Sequence, residues 1–235
     1  MNSFLERFAP SARILHRSVN FASITNQYNL KGITSDQIKD VELSYVKAFF
    51  EEPLFRLVEP NPQKRTAKMQ FLVKSLLKIK KLQNAITFTP KGSEFQGASF
   101  WMRPNNVPTT SLLQMLKAGL AAAPFKLGLS SLRNMMRFSE HLDKTIEHMT
   151  REPHWLLDVI FVDEKFQRRG LGYKLMQPIF EESFRSQIPC YVVTHNTRNV
   201  DFYTKYGFEL FDEDVVIKDR SDSPVSYCLR RPWNK

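Results

Sequence analysis

The chain has 235 residues, 42% of them hydrophobic and 25% charged, which is enough for one domain with a sizeable core. No apolar run approaches the roughly 18 residues of a membrane span, and no Cys/His spacing suits a structural zinc site, so no metal is expected. The 34 basic and 24 acidic residues leave a net charge of +10, which points to anionic partners: phosphates, nucleic acid or a membrane surface. Cys190 and Cys228 are too few for a disulfide framework and read as buried strand residues in a reducing compartment.

In chain order, residues 1–27 carry Arg7, Arg13 and Arg17 against Glu6. They read either as a helical extension packed on the domain or as a mitochondrial-type presequence. The expected division is a basic extension over 1–27 and one domain over 28–235. Tyr28–Ile33 is a short strand candidate. Thr34 and Gln37 are spaced as a capping box for a helix whose apolar face holds Ile38, Val41, Tyr45, Ala48 and Phe49. After Pro53 and the break at Pro60–Lys64, Met69, Leu72, Val73, Leu76 and Leu77 form the stripe of a second helix. Eight Lys or Arg against Glu59 give Arg56–Lys81 a charge of +7, read as a solvated face rather than a nucleic-acid site.

Asn84–Thr89 and Phe95–Met102 read as strands joined at Lys91-Gly92-Ser93. Thr109–Thr150 reads as helical, broken at Pro124 and Gly128. His154–Val162 is the strongest strand signal. A helix follows from Gly170 to about Arg185, then a strand at Cys190–His195 and a helix at Thr197–Tyr206 that Gly207 ends. Two final strands, Phe208–Asp219 and Val225–Arg231, are joined by a turn at Ser221–Pro224.

The informative stretch is Phe161–Phe180, where a strand ends and a basic, glycine-hinged turn opens a helix. Gln167, Gly170 and Gly172 are spaced Q-x-x-G-x-G, and Arg168 and Arg169 lie between. A turn of this kind converges free N–H groups and the positive end of the helix dipole, which suits a pyrophosphate. Downstream stand Asn196, then Tyr203, then Gly207-Phe208. Together these motifs resemble the GNAT superfamily of acyl-CoA-dependent N-acyltransferases. His154-Trp155 before the central strand is similar to the small-molecule acetyltransferases grouped near puromycin acetyltransferase.

The resemblance implies an α/β (α+β) GNAT fold: a mixed, mostly antiparallel central sheet, flanked by helices and splayed open after His154–Val162. It implies acetyl-CoA as co-substrate. The pantetheine arm would lie in the splay against the backbone of Phe161 and Val162, with Phe161 bulkier than is usual there. The pyrophosphate would sit on Gln167, Arg168, Arg169, Gly170, Leu171 and Gly172. Asn196 matches the asparagine that bonds the pantetheine arm, and Tyr203 the tyrosine beside the thioester sulfur.

The residue types suit the chemistry. An ammonium must lose a proton before it attacks the thioester, and the departing thiolate benefits from gaining one, which a tyrosine hydroxyl can supply. Asp158 is the carboxylate inside the central strand, and by alternation it shares a face with Leu156, Ile160 and Val162. It is the candidate base or a structural ion-pair partner, with His154 a weaker candidate base. The expected function is acetyl transfer to a primary amine of a small molecule in the cytoplasm, or in the mitochondrial matrix if residues 1–27 are a presequence. The alternative is a non-catalytic acyl-CoA-binding module whose basic surface takes nucleic acid or an acidic partner.

Overall fold

The computed structural model describes residues 21–104, 110–149, 152–216, 221 and 223–235. Its strands are β1 (Leu30–Lys31), β2 (Ile86–Pro90), β3 (Gly97–Met102), β4 (Trp155–Val162), β5 (Cys190–Thr194), β6 (Glu209–Val215) and β7 (Val225–Arg231). They form one sheet in the order β1-β2-β3-β4-β5-β7-β6, antiparallel except for the β4–β5 pair. This is the expected mixed, mostly antiparallel sheet flanked by helices.

One face is covered by α8 (Leu171–Ser186) and α9 (Thr197–Thr204). Their apolar residues join Phe88, Trp101, Trp155, Leu157 and Leu229 in the larger core. The other face carries α2 (Ile38–Phe49), α3 (Pro53–Val58) and α4 (Pro62–Leu82). It also carries α5 (Leu112–Ala118), α6 (Ala123–Leu127) and α7 (Leu129–Met149). Val41, Tyr45, Met69, Val73 and Leu127 pack there against Ala98, Phe100 and Phe161.

Local signals fix most helix ends. The Gln37 Oε1 accepts the Thr34 amide at 3.3 Å, the return half of the expected capping box. Asn61 caps α4 by accepting the Gln63 amide at 2.9 Å, and Pro62 follows it at the first helical position. The expected break at Pro124 is corrected. Pro124 lies in the first turn of α6, where its missing N–H costs nothing, and α5 ends instead at Gly119, whose φ of 89° is left-handed. Gly128 does separate α6 from α7. The expected reach of β6 beyond Val216, and part of the turn after it, lie outside the described residues.

The last part of the N-terminal extension belongs to the packing. Helix α1 (Phe21–Gln27) buries Ile24 to 3% exposure and sets the Phe21 ring 6.1 Å from those of Phe88 and Trp155. Residues 1–20 lie outside the described residues. Both cysteines are free and buried in the sheet, and burial pushes each thiol up to about 12. No helix among the described residues is long and apolar enough to cross a membrane.

Helices α8 and α9 meet at Gly172, where an added Cβ would stand 2.9 Å from the Phe202 Cζ. The Phe202 ring is itself hemmed in by Tyr203 and Tyr206, with centroids 5.2 and 5.1 Å away. Gly172→Ala should therefore cost about 1–3 kcal/mol in urea unfolding, and Phe202→Leu in the same chain should restore much of it. Ile24→Ala should cost about 2–4 kcal/mol in the same measurement. A loss below about 0.5 kcal/mol would place α1 outside the cooperative unit.

Candidate active site

Strands β4 and β5 pair over only three residues, Trp155↔Cys190, Leu156↔Tyr191 and Leu157↔Val192. Beyond them β4 stays on β3 and β5 stays on β7, so the two strands part. The register with β3 shows what happens at that point. Trp101 faces Leu157 and Phe100 faces Val159, so Asp158 is the extra residue of a β-bulge.

The bulge corrects the expected face. Trp155, Leu157, Ile160 and Val162 lie toward α8 and α9, whereas Leu156, Val159 and Phe161 lie toward the other helical layer. Asp158 belongs to this second set, because the inserted residue breaks the two-residue alternation assumed from sequence. Its Oδ1 accepts from the Lys80 Nζ of α4 at 2.7 Å, and both side chains are largely buried. The Phe161 ring is buried among Tyr45, Phe49 and Phe95. It is therefore the backbone of β4 beyond Leu157, not this side chain, that borders the parting.

The turn after β4 is held by its own residues. The Gln167 Nε2 donates to the Val162 carbonyl at 3.1 Å, tying the turn to the strand end. Gly170, with φ of 74°, precedes α8, and no atom lies within 4 Å of the place its Cβ would occupy. Glycine is needed there for backbone conformation, with open space beside it. The amides of Leu171, Gly172 and Tyr173 open α8 and have no intrahelical acceptor. Arg168 and Arg169 are exposed beside them without a carboxylate partner among the described residues, and Arg169 lies 5.4 Å over the Phe166 ring. Gln167, Arg168, Arg169, Gly170, Leu171 and Gly172 thus make one cationic, donor-rich corner.

Asn196 caps α9, its Oδ1 accepting the Arg198 amide at 3.1 Å. Its Nδ2 donates to the Glu52 Oε1 at 3.2 Å, which joins the two helical layers. Glu52 stands just before α3, where sequence reading saw only a helix break at Pro53. Burial raises its pKa above the ordinary carboxylate range, and the Asn196 and Asn199 amides pull it back in part. Tyr203 is buried in α9 against Phe202 and Phe208. Burial first, and the Glu52 charge second, push its hydroxyl well above the ordinary tyrosine range. Tyr45 of α2, expected only as a core residue, is shifted the same way by burial and then by Asp158 and Glu52.

Glu52, Tyr45, Asp158, Lys80, Asn196 and Tyr203 therefore form one polar constellation near the parting strands. Of these, Glu52, Lys80 and Tyr45 were not singled out from sequence. His154 is not part of the group. It precedes β4 at the end away from the splay, where its ring packs on Tyr191 and its Nδ1 lies 2.9 Å from the Glu152 carbonyl.

The acetyltransferase (GNAT) family matches residues 135–208, which take in β4, the glycine turn, α8, β5 and α9. An uncharacterized N-acetyltransferase of Schizosaccharomyces pombe is 24% identical over 208 residues, covering 86% of this chain and 83% of its own. Among solved structures, a histone acetyltransferase HPA2 and related acetyltransferase from Corynebacterium glutamicum superposes with a TM-score of 0.60 at 18% identity. It covers 87% of this chain and 96% of its own. Arylalkylamine N-acetyltransferase 2 from Aedes aegypti gives a TM-score of 0.53 at 12% identity, covering 87% of this chain and 98% of its own. With the family match lying over the splayed strand, the turn and α9, and with the sheet and its two helical layers around them, the chain has the GNAT fold and carries the acetyltransferase (GNAT) family's match at its splay.

Proposed function

We propose that the protein transfers an acetyl group from acetyl-CoA to the primary amine of a small molecule, by direct attack in a ternary complex. The observation that carries this reading is the Asn196–Glu52 hydrogen bond at the splay, which brings a half-buried carboxylate to the N-terminus of the helix that buries Tyr203. The pantetheine arm would run in the splay, bonded by the β4 backbone at Phe161 and Val162 and by Asn196. The pyrophosphate would take the α8 amides from Leu171 onward, with Gln167 and Gly170 shaping the turn, Gly172 admitting α9, and Arg168 and Arg169 supplying charge.

In the reaction the amine nitrogen bonds the thioester carbonyl carbon, and the carbon–sulfur bond breaks. Glu52 takes the proton from the ammonium, and Tyr203 gives one to the departing thiolate. Asp158 is the sequence-based candidate for the first role. It already holds the Lys80 ammonium, and to take a proton it would have to surrender that ion pair. Glu52 has neutral amide partners instead, and burial makes it the readier acceptor.

The small-molecule assignment rests on the His154-Trp155 likeness to the puromycin-type group, and an arylalkylamine acceptor is in keeping with the Aedes aegypti relative. The cytoplasm is the corresponding compartment. Burial of Ile24 argues against a presequence removed through Gln27. The other reading, a non-catalytic acyl-CoA module, fails if purified protein releases CoA thiol in the presence of an amine panel and holds if it does not.

Two variants test the roles. Tyr203→Phe keeps the ring and removes the proton. kcat should fall by ~10-fold or more, about 1.4 kcal/mol of transition-state stabilisation, while acetyl-CoA affinity and Tm stay near wild type. The loss should shrink with an acyl donor whose leaving thiol is more acidic.

Glu52→Gln should lower kcat/KM by ~10²-fold or more near neutral pH and remove the acid limb of the pH profile. In the native enzyme the rate rises with pH as Glu52 ionises, above the ordinary glutamate range. Stability should move the other way. A carboxyl whose pKa folding raises contributes stability below its unfolded pKa and loses it as pH rises through the folded value. The neutral amide escapes that loss, so Tm at pH 7 should be unchanged or higher. A lower Tm with unchanged kcat/KM would make Glu52 a purely structural link.

A further inference from the structure

Helix α4 and the segment that leads into α7 share a feature that acetyl transfer does not use. Residues 62–82 contain seven Lys or Arg and no acid, and residues 110–139 contain four and no acid. Part of the α4 charge is consumed within the fold. Arg65 donates to the carbonyls of Phe50, Glu59 and Pro60, Lys68 pairs with Glu59, and Lys80 with Asp158. Lys74, Lys78 and Lys81, at i, i+4 and i+7, remain exposed on one side of the helix.

Packed against α4 are α5 and α6, whose large apolar side chains point outward. Phe125 is 91% exposed, Leu129 76%, Leu112 73% and Leu116 53%. Lys117 and Lys126 are exposed between them. Single exposed apolar residues are ordinary, but a run of them over α5, α6 and the first residue of α7, in a stretch whose charged residues are all cations, marks a candidate docking surface.

We propose that this face docks the enzyme on an anionic lipid membrane. Charge and shape choose that occupant. A second copy would bring the same cations against these and be repelled. Residues 1–20 carry Arg7, Arg13 and Arg17 against Glu6, the same sign as the face, and do not complement it. The apolar side chains protrude instead of lining a groove, which suits insertion among lipid headgroups while flanking lysines meet anionic phosphates. The docking is peripheral, and it acts beyond the acetyl-transfer reading without depending on it.

Cosedimentation of the full chain with vesicles tests it. The protein should pellet with phosphatidylcholine vesicles containing about 30% phosphatidylserine and stay in solution with phosphatidylcholine alone, and salt should release it. Phe125→Ser should weaken binding roughly tenfold. Joint Lys74→Glu, Lys78→Glu and Lys81→Glu should weaken it by about a hundredfold or more. Both variants should keep acetyl-CoA turnover in solution, which verifies that they fold. Three outcomes overturn the proposal: wild-type protein that ignores the anionic vesicles, Phe125→Ser protein that binds as wild type does, and retention on polyglutamate without vesicle binding. The last would assign the face to an acidic protein.

Discussion

The parting of β4 from β5 is the constraint on which the site depends. Two parallel strands that stay paired satisfy each other's amides and carbonyls and leave no room between them. Here the ladder stops after Leu157 and Val192, at the residue where β4 takes its bulge. The strand keeps its other edge on β3, so the sheet remains one body while a line of backbone groups is released on the opposite edge. A cofactor arm built of amides is the natural complement of such an edge. The turn that follows then adds unpaired donors and two arginines where a phosphate would meet them.

The same parting brings two layers into conversation. Glu52 comes from the helices on one face and Asn196 and Tyr203 from a helix on the other, and the Asn196–Glu52 hydrogen bond connects them. The carboxylate is kept half-buried among neutral donors, which is what raises its proton affinity. Asp158 has a charged partner instead, the Lys80 ammonium of α4. Two carboxylates are thus given different neighbours, one neutral and one charged.

Much of this was legible in the sequence because it is local. The spacing of Gln167, Gly170 and Gly172, and of Asn196, Tyr203 and Gly207, encodes a strand–turn–helix unit and its successor, and both form where expected. Glu52 left no such trace. It sits in a short link between helices, and its partner Asn196 is 144 positions away. The bulge was hidden for another reason: the apolar residues around Asp158 serve either face, so broken alternation looks like unbroken alternation. Pro124 reads as a break because a proline that opens a helix and one that ends it look alike until the preceding helix end, here Gly119, is known. Gly172 was expected to admit a phosphate, whereas its missing Cβ also makes room for Phe202.

The bulge also divides what may change at position 158 from what may not. A neutral residue there would leave the largely buried Lys80 ammonium without its carboxylate. Deletion of the residue would restore simple alternation. With the end that pairs to β5 held in place, Val159 and Phe161 would stay on the α2 side and Ile160 and Val162 on the α8 side, so both cores would keep their residues and only the carboxylate facing Lys80 would be lost. The bulge is therefore what lets β4 present a carboxylate to α4 while the residues on either side of it keep their places in the two cores.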